Sequence, residues 1–122
     1  MSTRSINLEF EINEEFITDI LTIAAEGGIN YWVAEAKCVI RSKTFECLAF
    51  EVKPQDSEIW YKVDPNSIFQ GLQSIIAAKF VVNPDVKSCI REAIATNDAS
   101  GLDADDVDCI VQAGLFGEIV YS

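Results

Sequence analysis

Ile6, Leu8, Phe10 and Ile12 alternate with Asn7, Glu9 and Glu11, which gives an extended chain one apolar face and one wet face. The pattern predicts a first strand. Asn13 follows as a helix cap, with Glu14 and Glu15 in the first turn where negative charge suits the helix dipole, and Ile12 is placed to staple against Ile17. Phe16, Ile17, Ile20, Leu21 and Ala24 recur at helical spacing, and Gly27 stands where a left-handed residue ends a helix. Three runs rich in aromatic and branched residues come next: Trp32 to Arg41, Thr44 to Lys53 and Glu58 to Val63. Ser42-Lys43 and Pro54-Gln55-Asp56-Ser57 part them with turn chemistry, so the segment predicts a three-stranded meander. In its second strand Phe45 and Cys47 have one parity and Leu48, Phe50 and Val52 the other, which asks for a bulge or for cover on both faces.

Beyond Val63 the signals are helical. Asp64 caps, Pro65 takes the first helical position, Val63 staples to Ile68, and Phe69, Leu72, Ile75 and Ile76 carry the stripe. Asn83-Pro84 repeats the device ahead of Val86, Cys89, Ile90, Ala93 and Ile94. Asp103 opens a last helix, with Asp106 three residues on, a Leu102 to Val107 staple, and Val107, Ile110 and Val111 facing inward. Gly114 and Gly117 read as its end, and Glu118 to Tyr121 as a closing strand or a tail docked by its apolar residues. The expectation is an α+β fold over residues 1–122 as a single domain, in the order β-α-β-β-β-α-α-α. Its antiparallel sheet of about four strands would join the first strand to the meander and pack on about four helices.

Composition agrees with one core: 122 residues, 49% hydrophobic and 24% charged. No uncharged run is long or apolar enough to span a bilayer, and the start lacks the apolar region of a secretory signal. A cytoplasmic protein without a membrane partner is the expectation. Charge changes the picture more. The net charge is −11, and it is segregated: Ser5 to Ala36 and Glu92 to the end carry acids and no base, while Lys37, Arg41, Lys43, Lys53 and Lys62 lie between. A field of that sign repels phosphate backbones and anionic lipid, so direct nucleic-acid binding is disfavoured. A partner protein suits it better.

There is no histidine, which removes Ser-His-Asp and Cys-His nucleophile activation and the commonest zinc and iron sites. Cys38, Cys47, Cys89 and Cys109 form no C-x-x-C pair, and each sits in an apolar pattern. Buried free thiols in a reducing compartment are expected, with a Cys38 to Cys47 bridge across a hairpin as the alternative. Asp98, Asp103, Asp105, Asp106 and Asp108 resemble hard-cation ligands, yet the EF-hand spacing is absent, and Asp103, Asp105 and Asp106 are explained as cap and first-turn residues. No metal, cofactor or catalytic residue is assigned, and the expectation is a protein that is not an enzyme, with a small enzyme as the remote alternative.

Two segments carry chemistry of another kind. Glu26-Gly27-Gly28-Ile29-Asn30-Tyr31-Trp32 combines a sharp glycine turn with two large amphipathic rings, as a docking edge or simply a tight helix-to-strand connection. Trp60, Tyr61, Phe45 and Phe50 beside the central bases read as cross-strand core pairs or, with Lys37, Arg41, Lys43 and Lys62, as a site for a small anionic nucleotide.

Ile17-Thr18-Asp19-Ile20-Leu21 leading into Glu26 to Trp32, together with the stretch from Asp108 to Tyr121, resembles a family of small uncharacterised proteins of tailed bacteriophages and prophages. Ser122 departs from the glycine expected there. The resemblance implies a phage-type accessory protein in a bacterial host cell and no reaction. By analogy with small acidic phage proteins, it implies binding of a host protein through an acidic surface, as antagonism of host defence or mimicry of nucleic acid. A nucleotide-sequestering protein is the alternative, and a homo-oligomer is left open. The binding residues expected are Glu26, Gly27, Gly28, Asn30, Tyr31, Trp32, Phe116, Gly117, Glu118 and Tyr121.

Glu26 sits at a helix C-terminus and Glu118 follows the glycine that ends another, so neither charge helps its own helix. This predicts that the turn Glu26 to Trp32 and the tail Phe116 to Tyr121 lie side by side. Glu26 or Glu118 would then accept hydrogen bonds from backbone amides or Tyr31, as a clasp that closes the domain or as a shared surface for a partner.

Overall fold

The computed structural model describes residues 3–6, 10–29, 31–41, 43, 47–77 and 82–121. Strands β1 (Thr3–Ile6) and β2 (Phe10–Asn13) come first, then helix α1 (Glu14–Ile23), which runs on into a π-helical turn over Ala24–Gly28. Strands β3 (Val33–Arg41), β4 (Cys47–Pro54) and β5 (Tyr61–Val63) form the meander, and α2 (Pro65–Ile76), α3 (Pro84–Thr96) and α4 (Ala104–Phe116) complete the chain. The fold is α+β in the expected order of elements.

The first strand is corrected. Ile6 is the cross-strand partner of Phe10, so β1 and β2 form their own antiparallel hairpin, while β3-β4-β5 is a separate sheet. Alternation survives a reversal in which positions 6 and 10 pair, because residues paired across the strands share a face; the pattern therefore fits a hairpin as well as one strand.

In the meander, Ile40 pairs with Ala49 and Arg41 with Cys47, so Leu48 is an extra residue on β4, the bulge that the broken parity asked for. Phe50, Val52 and Val63 turn to the helices and are buried. Phe45 lies outside the described residues. Of the other expected core pairs, Phe50 is in the core and Tyr61 packs on Phe116, but Trp60 is exposed, with the Lys37 ammonium 4.6 Å from its ring centre.

Local capping sets the helix starts. Asn13 Oδ1 accepts from the Phe16 N–H, Asp64 and Ser67 close a reciprocal box, Asn83 Oδ1 accepts from Asp85 N–H, and Asp103 and Asp106 close a second box. The side chains of Ile12, Phe16, Ile20, Leu72, Ile75, Ile90, Ile94 and Ile110 fill one contiguous core.

Three residue expectations change. Gly27 lies within the π-helical turn and does not stop the helix at its place. Gly114 lies inside α4, where a β-carbon would overlap the Ser67 carbonyl, and Gly71 meets the Ile110 carbonyl in the same way. Only Gly117, at φ 77°, has the left-handed role read for the pair. Cys38 is disulfide-bonded, so the bridged alternative holds there, and Cys89 is a free thiol on the surface.

Candidate functional site

The π-helical turn packs against α4 and delivers Tyr31 and Trp32 to its flank. A π-helical turn adds a residue to the helical repeat and so re-aims the chain beyond it. Trp32 is fully buried, and its indole N–H donates to Asp108 Oδ1 at 2.7 Å. The Tyr31 hydroxyl donates to Asp108 Oδ2 at 2.5 Å, and the Tyr121 carbonyl oxygen lies 3.1 Å from the same hydroxyl. One carboxylate thus holds two consecutive aromatic residues.

Gln112 stands one helical turn beyond Asp108, on the same face of α4. Its Oε1 accepts from the backbone N–H groups of Val120 at 2.8 Å and Tyr121 at 2.7 Å. Because those amides can only donate, the oxygen must face them, and Nε2 is left to donate to the Asp108 carboxylate and to the Tyr121 carbonyl, each at 3.0 Å. Asp108 and Gln112 are buried, and among the described residues no buried side-chain polar atom lacks a partner. That satisfaction is what permits two polar groups in the core.

The rings close the arrangement. Tyr121 stacks on Trp32 with centroids 5.1 Å apart and planes 4° apart, and Phe116 meets Trp32, Tyr61 and Tyr121 edge-on. The Tyr121 hydroxyl donates to Asp56 Oδ1 at 2.6 Å, and the Gln55 N–H donates to the Trp32 carbonyl at 2.9 Å, so the β4–β5 turn joins the tail. The tail docks without forming a strand.

The expected adjacency of the two segments is present, but its carboxylate is different. Glu26 and Glu118 are exposed and stand outside this hydrogen-bond network; Asp108 accepts in their place. A buried acceptor gains from convergent donors that water would otherwise supply, and an exposed one does not. Tyr31, Trp32, Phe116 and Tyr121 are brought together, Gly117 caps α4, and Gly27 and Gly28 lie in the π-helical turn. Asn30 lies outside the described residues. Asp108 and Gln112 are absent from the residues expected; the signal that could have found them is an acid and an amide four apart, each directly following an inward valine, Val107 and Val111.

The electrostatics around Tyr31, Tyr121, Cys89 and Cys109 work against a nucleophile. Burial, then the hydrogen bond to Asp108, pushes the Tyr31 hydroxyl well above its ordinary value. The bond to Asp56 pushes Tyr121 up to about 12. Burial, then the Asp108 charge, raises the Cys109 thiol to about 11, and the charge of Asp106 raises Cys89. Thiols so placed are poor nucleophiles near neutral pH. No three acids or thiols converge as a metal site among the described residues. Of the central bases, Lys37 pairs with Glu51 at 3.5 Å, and Lys53 with Glu35 and Glu58 at 3.6 and 3.8 Å.

What the clasp leaves open to solvent is a face. One shallow hollow of about 360 Å³ is lined by Tyr31, Trp32, Gln55, Asp56, Val120 and Tyr121. Another of about 400 Å³ is lined by Tyr31, Asp105, Asp108, Cys109, Ile119 and Tyr121. Tyr31 is 50% exposed and Val120 53%. Among the described residues no base lines either hollow, and Asp56, Asp105 and Glu118 are exposed. Fold and site together define an α+β protein with a fully satisfied polar clasp under an acidic, partly aromatic face. The chain matches no family model, no curated protein and no solved structure. No described helix is long and apolar enough to cross a membrane.

Proposed function

We propose that this chain is a non-enzymatic, phage-type accessory protein that binds a basic protein of its bacterial host through the face above the clasp. The observation that carries the reading is the pair of hollows that share Tyr31 and Tyr121 and are lined by carboxylates, with no base among the described lining residues. Exposed tyrosine supplies contact area at low entropic cost, and a one-signed acidic surround steers a cationic partner toward it. The net charge of −11 acts in the same direction. A host protein that normally holds nucleic acid presents the complementary charge, which makes occupation of its phosphate-binding surface the form of the reading that the charge favours; antagonism of host defence is what the analogy with small acidic phage proteins adds. The nucleotide-binding alternative calls on Lys37, Arg41, Lys43 and Lys62; none of these is among the described lining of the two hollows, and Lys37 is paired with Glu51.

The test is capture of host nucleic-acid-binding proteins on the immobilised chain, followed by affinity measurement at graded salt and with duplex DNA as competitor. Salt-sensitive binding that DNA displaces is expected. The triple variant Asp56→Asn, Asp105→Asn, Glu118→Gln should lose about tenfold or more in affinity, equivalent to about 1.4 kcal/mol. Affinity unchanged by the triple variant, or no capture at low ionic strength, sinks the proposal.

A further inference from the structure

Among the described residues strand β3 is an edge of its sheet, with β4 as its neighbour on one side, and Ala34 to Lys37, Val39 and Ile40 are all exposed. A long edge strand is a template for another strand unless something blunts it. Here two irregularities flank a short regular stretch: the register is one-to-one from Glu35 opposite Lys53 to Cys38 opposite Phe50, and it shifts on both sides. The regular stretch is therefore what can accept a partner strand.

Its sequence is self-complementary. Place a second copy of β3 antiparallel to the first, with a two-fold axis through Ala36. Glu35 then faces the partner's Lys37, and Lys37 faces the partner's Glu35. Small Ala36 stands at the axis, directly opposite its own copy. Both charges lie on the outer face of the sheet, since Lys37 bonds Glu51 and Glu35 bonds Lys53 across β4. Lys62 is the next residue in the row beyond Glu51. Joined through the axis, the row reads Lys62, Glu51, Lys37, the partner's Glu35, the partner's Lys53, with the sign alternating at each step. Along each row, no like charges stand directly opposite across the junction.

The geometry points to a homodimer built by antiparallel pairing of β3 with β3 of a second copy, registered by the Glu35 to Lys37 contacts. The occupant is a second copy because only this strand is guaranteed to carry the matching charges in the matching order. The assembly closes at two: β5, the opposite edge, is three residues long and offers little to a third chain. The inference stands apart from the proposed host partner, since β3 does not line the hollows above the clasp.

Sedimentation equilibrium on the full chain tests it, with circular dichroism melting as the check on folding. The wild-type chain should be a dimer whose dissociation constant rises with salt. Lys37→Glu alone and Glu35→Lys alone should each weaken it by about tenfold or more, since each sets like charges face to face. The double variant E35K/K37E should recover most of the loss. Its new repulsions against Glu51 and Lys53 lie within each chain and are present in monomer and dimer alike, so they do not disguise the result. A monomer at all accessible concentrations overturns the inference, and so does a dimer indifferent to either reversal or a double variant no better than the singles. A chain that stays monomeric but takes up an unrelated extended peptide along β3 overturns it too, by assigning the edge to another occupant.

Discussion

Asp108 and Gln112 are single side chains that tie together segments far apart in the sequence. Asp108 receives the Tyr31 hydroxyl, the Trp32 indole and the Gln112 amide, and Gln112 receives two backbone amides of the tail. Removing the Asp108 carboxylate leaves the buried Trp32 indole N–H without a partner, which costs more than the net worth of the bond itself. Asp108→Ala should therefore lower unfolding free energy by about 2–4 kcal/mol, and Trp32→Ala, which empties core volume as well, by about 3–5 kcal/mol. Glu26→Gln, at an exposed position outside the network, should stay within about 0.5 kcal/mol of wild type. Urea unfolding of the three variants checks the series. A loss at Glu26 that matches the loss at Asp108 would contradict the assignment of the acceptor.

Helices α2 and α4 pack closely at Gly71 and Gly114. Each glycine faces backbone of the other helix, which cannot move aside as a flexible side chain can, so an added methyl must part the helices. Gly71→Ala and Gly114→Ala should each cost about 1–3 kcal/mol or more, despite the better helix propensity of alanine. Gly101, with open space around its α-carbon, is the control, and Gly101→Ala should change stability by no more than about 0.5 kcal/mol. Thermal melting distinguishes the two outcomes. The separation matters for the site too, because α4 carries both Asp108 and Gln112.

Over the whole molecule, the excess of negative charge opposes compaction. Both base-free stretches contribute to the clasp region, Tyr31 and Trp32 from the first and Asp108, Gln112 and Tyr121 from the last. Self-repulsion of this kind weakens as salt shortens the range of the field, from about 30 Å at 0.01 M to about 8 Å at 0.15 M. The melting temperature, measured at low chain concentration, should therefore rise over that range of ionic strength. A fall would mean that the ion pairs on the sheet outweigh the general repulsion.

The helix starts were legible in the sequence because capping is a local bargain: Asn13, Asp64-Pro65, Asn83-Pro84 and Asp103 satisfy amides within three residues of themselves. The meander and the extra residue at Leu48 were legible for a similar reason, since turn residues and parity are properties of neighbours. The meeting of the Tyr31-Trp32 turn with the tail was expected as well, but from Glu26 and Glu118, which are exposed and take no part in it, so the sequence did not carry its reason. Which carboxylate holds that meeting was settled by tertiary structure alone. Asp108 is chosen over Glu26 and Glu118 because α4 buries it where a phenol, an indole and an amide converge, and sequence spacing carries no record of burial. The reversal between Ile6 and Phe10 preserves the alternation that suggests a single strand, and the close contact at Gly114 exists only once α2 lies against it. Local chemistry determined where elements begin and turn; packing determined which polar groups became structural and which were left facing water.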